Sequence, residues 1–123
     1  MQCEPENKGA DRDIAERTLK FALRIIKVGR AIPKSNEGAI FARQVLRSGT
    51  SVGANVEEAQ AASSKREFVR RINIARAEAK ETLYWLRLIG KAGILPMTRR
   101  REILKEADAI VRVLTAIEKS ARG

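Results

Sequence analysis

Apolar residues return at every third or fourth position through nearly the whole chain, and this rhythm leaves little choice of architecture. It is the repeat of helices that bury one face, whereas a half-buried strand alternates with period two. Ile14, Thr18, Phe21, Ala22, Ile25, Val28, Gly29 and Ile32 make the first stripe. Asp11 or Asp13 can cap its start, and Pro33 stops it because proline has no amide hydrogen for the helical ladder. Lys34 to Gly38 (KSNEG) is a turn that caps a second helix, with a stripe at Phe41, Val45, Val52, Val56 and Ala59. A capping box at Ser64 and Glu67 opens a third, whose core face is Phe68, Ile72, Ala75, Ala79, Leu83 and Leu86. Gly93 and Pro96 end it. Thr98 can cap a fourth, carrying Ile103, Ala107, Ile110, Leu114, Ile117 and Ala121. Four helices of about 20 residues with short links predict an all-α fold, an antiparallel up-down-up-down four-helix bundle. The bundle is expected over residues 14–123, and residues 1–13 are expected to be a flexible N-terminal tail.

The second helix contains an unusual segment, SGTSVGANVEEAQAA, from Ser48 to Ala62. Each interior glycine costs about 1 kcal/mol relative to alanine, so Gly49 and Gly53 call for a neighbouring helix that lies close against them. Gln44, Ser48, Ser51, Asn55 and Glu58 form a polar band beside the apolar stripe. Ser51, Asn55 and Glu58 are expected to form a structural polar network that fixes helix register, in preference to a ligand site. On the third helix, Ile74, Trp85 and Ile89 lie off the core stripe, among Glu78 and Glu81. A subunit interface is the expected use, since a bundle helix normally buries one stripe. The alternative is the broad edge of a single core.

Charge sets the partner question. The chain has 25 Lys and Arg against 15 Asp and Glu. Net charge runs −2 over residues 1–13, +5 over 14–34, −1 over 35–63, +5 over 64–93 and +3 over 94–123. The glycine-bearing helix is therefore a charge-poor island in a basic protein, and basic surface concentrates polyanions. The one cysteine, Cys3, excludes an intramolecular disulfide and fits a reducing cytoplasm. No apolar run nears the roughly 20 residues that span a bilayer, and MQCEPENKGADRD lacks the order of a secretory signal. A cytoplasmic protein of one domain, away from membranes, is expected.

The residues Ser51-Val-Gly-Ala-Asn55-Val-Glu-Glu58-Ala59, then Ser64, Glu67-Phe68, Ile74-Ala75, Glu78 and Glu81-Thr-Leu-Tyr-Trp85-Leu86, resemble the bacterial four-helix-bundle proteins called 23S rRNA intervening-sequence proteins. The likeness covers roughly Ile14 to Ile117. This chain has Gly53 and Ala59 where many members carry proline and glycine. It is also similar to the accessory protein of diversity-generating retroelements, a basic pentamer that binds nucleic acid and a reverse transcriptase. The resemblance implies a homopentamer of up-down bundles with a nucleic-acid connection.

Catalytic chemistry has few candidates. Without histidine there is no Ser-His or Cys-His pair and no Glu-x-x-His motif for a di-iron site. No phosphate-binding glycine loop is present. Glu57, Glu58, Glu78 and Glu81 stand among Arg43, Arg47, Arg71 and Arg76, where salt bridges are the expected use. No catalytic activity, cofactor or metal is expected. For nucleic acid the candidates are Arg99, Arg100 and Arg101 opening the fourth helix, and Lys65, Arg66, Arg70 and Arg71 opening the third. Three arginines at a helix N-terminus oppose its dipole, an arrangement that stability alone does not favour. Lys20, Arg24 and Lys27 add a basic stripe on the first helix. No aromatic platform accompanies them, so phosphate contacts with little sequence reading are expected. The alternative function is an assembly scaffold or adaptor that binds another protein.

Overall fold

The computed structural model describes the backbone of residues 5–123 and the side chains from Asp13 onward, Met97 and Arg99 excepted. Four helices follow one another: α1 (Pro5–Ala31), α2 (Asn36–Gln60), α3 (Lys65–Lys91) and α4 (Met97–Arg122). No strand occurs among the described residues. Links of four, four and five residues turn the chain back each time, giving the expected antiparallel bundle. α1 packs on α2, α2 on α3 and α3 on α4, while α4 closes back onto α1 more sparsely.

The caps are local chemistry. Ser35 Oγ accepts the Gly38 amide at 3.0 Å and Ser64 Oγ accepts the Glu67 amide at 3.1 Å, each satisfying a donor that the first turn leaves orphaned. At the end of α3, Gly93 adopts φ +75°. There the Gly93 and Ile94 amides return to the carbonyls of Gly90 and Ile89, both at 3.0 Å, which is the paired closure of a Schellman motif.

Two expectations change. Pro96, held extended, occupies the N-cap position of α4 without a side-chain hydrogen bond, so Thr98 is already inside the helix. α1 begins at Pro5, within the expected tail. Proline suits a first helical position because the amide it lacks would have no partner there. Residues 1–4, Cys3 among them, lie outside the described residues.

The predicted stripes converge on one core. Phe21, Ile25, Val45, Val52, Val56, Ile72, Leu86, Ile110 and Leu114 are all but removed from water, and each aliphatic side chain so buried contributes about 1.5–3 kcal/mol. The glycines of α2 do admit a neighbour: α1 lies so near that an added Cβ at Gly53 would meet the Thr18 carbonyl oxygen at 3.3 Å. Ile89, expected on a subunit interface, instead sits fully buried in this core.

Candidate nucleic-acid interface

The two arginine-rich helix starts meet different fates. At the start of α3, Lys65 and Arg66 are exposed. Arg70 and Arg71 turn toward Glu67, each placing Nε 3.1 Å from a carboxylate oxygen. The hydrogen bond from Arg70, then that from Arg71, holds Glu67 below its ordinary carboxylate range. Arg71 also donates from Nη1 to Asn55 Oδ1 on α2 at 3.1 Å. Half-buried and doubly engaged, it ties α3 to α2, which leaves it less available to a phosphate.

The expected network of Ser51, Asn55 and Glu58 is therefore redrawn. Asn55 Nδ2 donates to the Ser51 carbonyl at 3.0 Å and lies 3.1 Å from Ser51 Oγ, and its oxygen takes Arg71. Glu58 is exposed and outside this set. Three residues along a helix is a rotation of about 300°, which carries position 58 past the α3 seam and into solvent. A second polar link went unread in the sequence: Thr82 Oγ1 lies 2.8 Å from Ser48 Oγ, and Ser48 donates to the Gln44 carbonyl at 2.9 Å. Both side chains are fully buried. The signal was Thr82 itself, a hydroxyl at the Ala79–Leu86 spacing of the apolar stripe.

At the start of α4, Arg101 is exposed, while the side chain of Arg99 lies outside the described residues. Arg100 folds back across the α3–α4 turn, donating from Nε to the Leu95 carbonyl at 3.2 Å. Its guanidinium occupies the space beside Gly90 that a side chain there would need. Arg100 thus acts as a clasp on the turn, and the expected three-arginine patch is not uniform.

Charge is also unevenly divided along the bundle axis. The half bearing the α1–α2 and α3–α4 turns, residues 19–48 and 79–109, carries fourteen Lys or Arg against five Asp or Glu. The opposite half, residues 13–18, 49–78 and 110–123, carries nine against seven. The topology places Arg24 and Lys27 of α1 and Arg101 of α4 in the same basic half, whereas Lys65, Arg66, Arg70 and Arg71 stand in the balanced one. Between the halves, Arg17 of α1 pairs with Glu106 of α4 at 2.7 Å, a hydrogen bond that raises the arginine's affinity for its proton.

Trp85 is half-buried on the α2–α3 flank. Its ring lies 6.2 Å from Phe41 and 5.2 Å, edge-on, from Tyr84. The indole donates to Glu81 at 3.0 Å, and Arg47 reaches both Glu78 and Glu81. Ile74 is half-buried on the same helix. Tyr84 (56% exposed) leaves apolar surface open beside this cluster, Ile40 (49%) does so at the α1–α2 turn, and Leu19 (54%) and Leu23 (56%) do so on α1. Among the described residues, no group of three or more carboxylates and thiols is gathered in a way that could hold a metal ion.

Comparison with known proteins agrees with this architecture. A crystal structure of a protein of unknown function from the S23 ribosomal protein family of Bacteroides thetaiotaomicron is 34% identical, covering 89% of this chain and 98% of that one, with a TM-score of 0.83. No curated protein sequence matches. The family model described as 23S rRNA-intervening sequence protein matches residues 10–116, nearly the full length of the bundle. This chain belongs to the 23S rRNA-intervening sequence protein family.

Proposed function

We propose that this protein is a non-enzymatic, homo-oligomeric helical bundle that binds nucleic acid through phosphate contacts at its basic end. The observation that carries the reading is the fourteen-to-five excess of cations in the half that bears the α1–α2 and α3–α4 turns. The family's name, which connects it with 23S rRNA, points the same way. Counterion release makes such binding salt-dependent. The test is fluorescence anisotropy with unrelated RNA and DNA strands across a salt series. Affinity should fall steeply as salt rises, with modest differences among sequences. Absence of binding at about 50 mM salt, where electrostatic attraction is exaggerated, would end this reading.

The second reading, an assembly scaffold or adaptor for another protein, is favoured by the open apolar surface. Leu19 and Leu23 lie on α1, while Ile40 and Tyr84 lie on α2 and α3. Distinct apolar faces on one chain suit head-to-tail self-association, which closes into a ring when the rotation allows. The pentamer implied by the resemblance is one such ring, and it would repeat each basic end around an axis and multiply its avidity for a polyanion.

A further inference from the structure

The α1–α4 seam is the most thinly packed in the bundle, and near the basic end it opens into a cleft of about 230 Å3. Val28, Leu95 and Ile103 supply apolar lining, Ala31 leaves room beside them, and Arg24 and Lys27 stand exposed on the α1 rim. Further along the seam Arg17 is neutralised by Glu106. Arg24 and Lys27 hold no ion pair among the described residues, and the exposed Glu102 of α4 is not paired with either.

This combination does not suit phosphate alone, which is strongly hydrated and gains nothing from Val28 or Ile103. It suits a flat heterocycle carried on a phosphate backbone. A guanidinium plane can stack on a base much as an aromatic ring does, so Arg24 can supply a platform in a cleft that has no aromatic lining. We infer that the α1–α4 cleft seats one unstacked base of a single-stranded nucleic acid, with its flanking phosphates on Arg24 and Lys27. The inference rests on the nucleic-acid reading above and adds to it a preference for single strands, because a base paired in a duplex cannot reach the apolar lining.

The experiment compares a fluorescein-labelled thymidine hexamer with an abasic phosphodiester of the same length and charge, by anisotropy at fixed low salt. The intact hexamer should bind about fivefold more tightly or better, the low end of what stacking one base on a side chain supplies. Arg24→Lys, which keeps the charge and removes the plane, should reduce that preference to about twofold or less. Ala31→Met, which fills the cleft, should do the same, with circular dichroism confirming that both variants keep their helices. Equal binding of the two hexamers by the wild type overturns the cleft while leaving phosphate binding intact. A preference that survives both variants places the base elsewhere and also overturns it. If neither hexamer binds and duplexes fail too, this inference falls together with the nucleic-acid reading.

Discussion

A Cβ atom placed on Gly49 of α2 would stand 2.7 Å from Cγ2 of Ile25 on α1, so the two helices touch at a point where one has no side chain. Alanine would recover about 1 kcal/mol of helix propensity, but Ile25 is fully buried and β-branched, with few rotamers into which it can retreat. Overpacking of this kind costs about 1–3 kcal/mol. Gly49→Ala should therefore lower stability in urea denaturation, and by more than Gly53→Ala, whose new atom would meet Thr18 at a looser 3.3 Å. Gly53→Leu should destabilise by about 1–3 kcal/mol or more. A Gly49→Ala protein more stable than the wild type would contradict this account of the packing.

The buried Thr82–Ser48 hydroxyl pair should behave as a coupled unit. Thr82→Val and Ser48→Ala should each cost about 1 kcal/mol, and the double variant less than their sum. Strict additivity in a double-mutant cycle would mean that the two hydroxyls do not interact.

Glu67 should titrate below its ordinary 4.5 in the folded protein, because Arg70 and Arg71 donate to its charged form. A depressed folded value contributes stability that is present above the unfolded value and lost as pH falls through the folded one. The effect lies on the acid side of 4.5 and weakens with salt. Carbon-13 NMR of the carboxylate should show the midpoint rising in Arg70→Ala and further in the double variant with Arg71→Ala.

Adjacent arginines at the start of α4 should separate in function. Arg100→Ala removes the clasp on the Leu95 carbonyl and should lower the melting temperature, on the scale of about 1.5–3 kcal/mol for the missing hydrogen bond from a charged donor. Arg101→Ala should leave melting unchanged. In salt titrations of polyanion binding, it should flatten the slope by roughly one unit for each phosphate that is no longer neutralised. The reverse pattern would reassign both residues.

Trp85→Glu tests the aromatic flank as a self-association surface. Light scattering should report smaller particles while the helical circular dichroism signal survives. If the wild type is already a monomer, or the variant keeps the wild-type size, that flank is the outer edge of the core.

Helix positions were legible because the apolar stripe, the Ser64–Glu67 box and Gly93 each act within a turn or two of chain. What the sequence could not locate was the neighbour. A helical wheel puts Ile89 away from the centre of the α3 stripe, and only the packed bundle shows that this flank is covered. Arg99, Arg100 and Arg101 form one basic run on paper, but successive residues turn by about 100°, so Arg100 reaches Gly90 of α3 and the turn at Leu95 while Arg101 meets solvent. Glu58 left the polar band for the same rotational reason. The cleft beside Arg24 and Lys27 depends on how thinly α4 closes against α1, which no periodicity encodes.

That thin closure makes α1 a hinged leaf. Its docking edge is the glycine-notched side of α2, and its cross-tie to the rest of the frame is Arg17 with Glu106. Swinging the leaf breaks one half-exposed ion pair among the described residues and the sparsest of the helix seams, whereas parting α2 from α3 would strand the buried Ser48 and Thr82 hydroxyls. The least costly large motion open to this fold is therefore α1 lifting from α4. Backbone amides of α1 should exchange with solvent before those at the centres of α2 and α3, which open only when the whole domain unfolds.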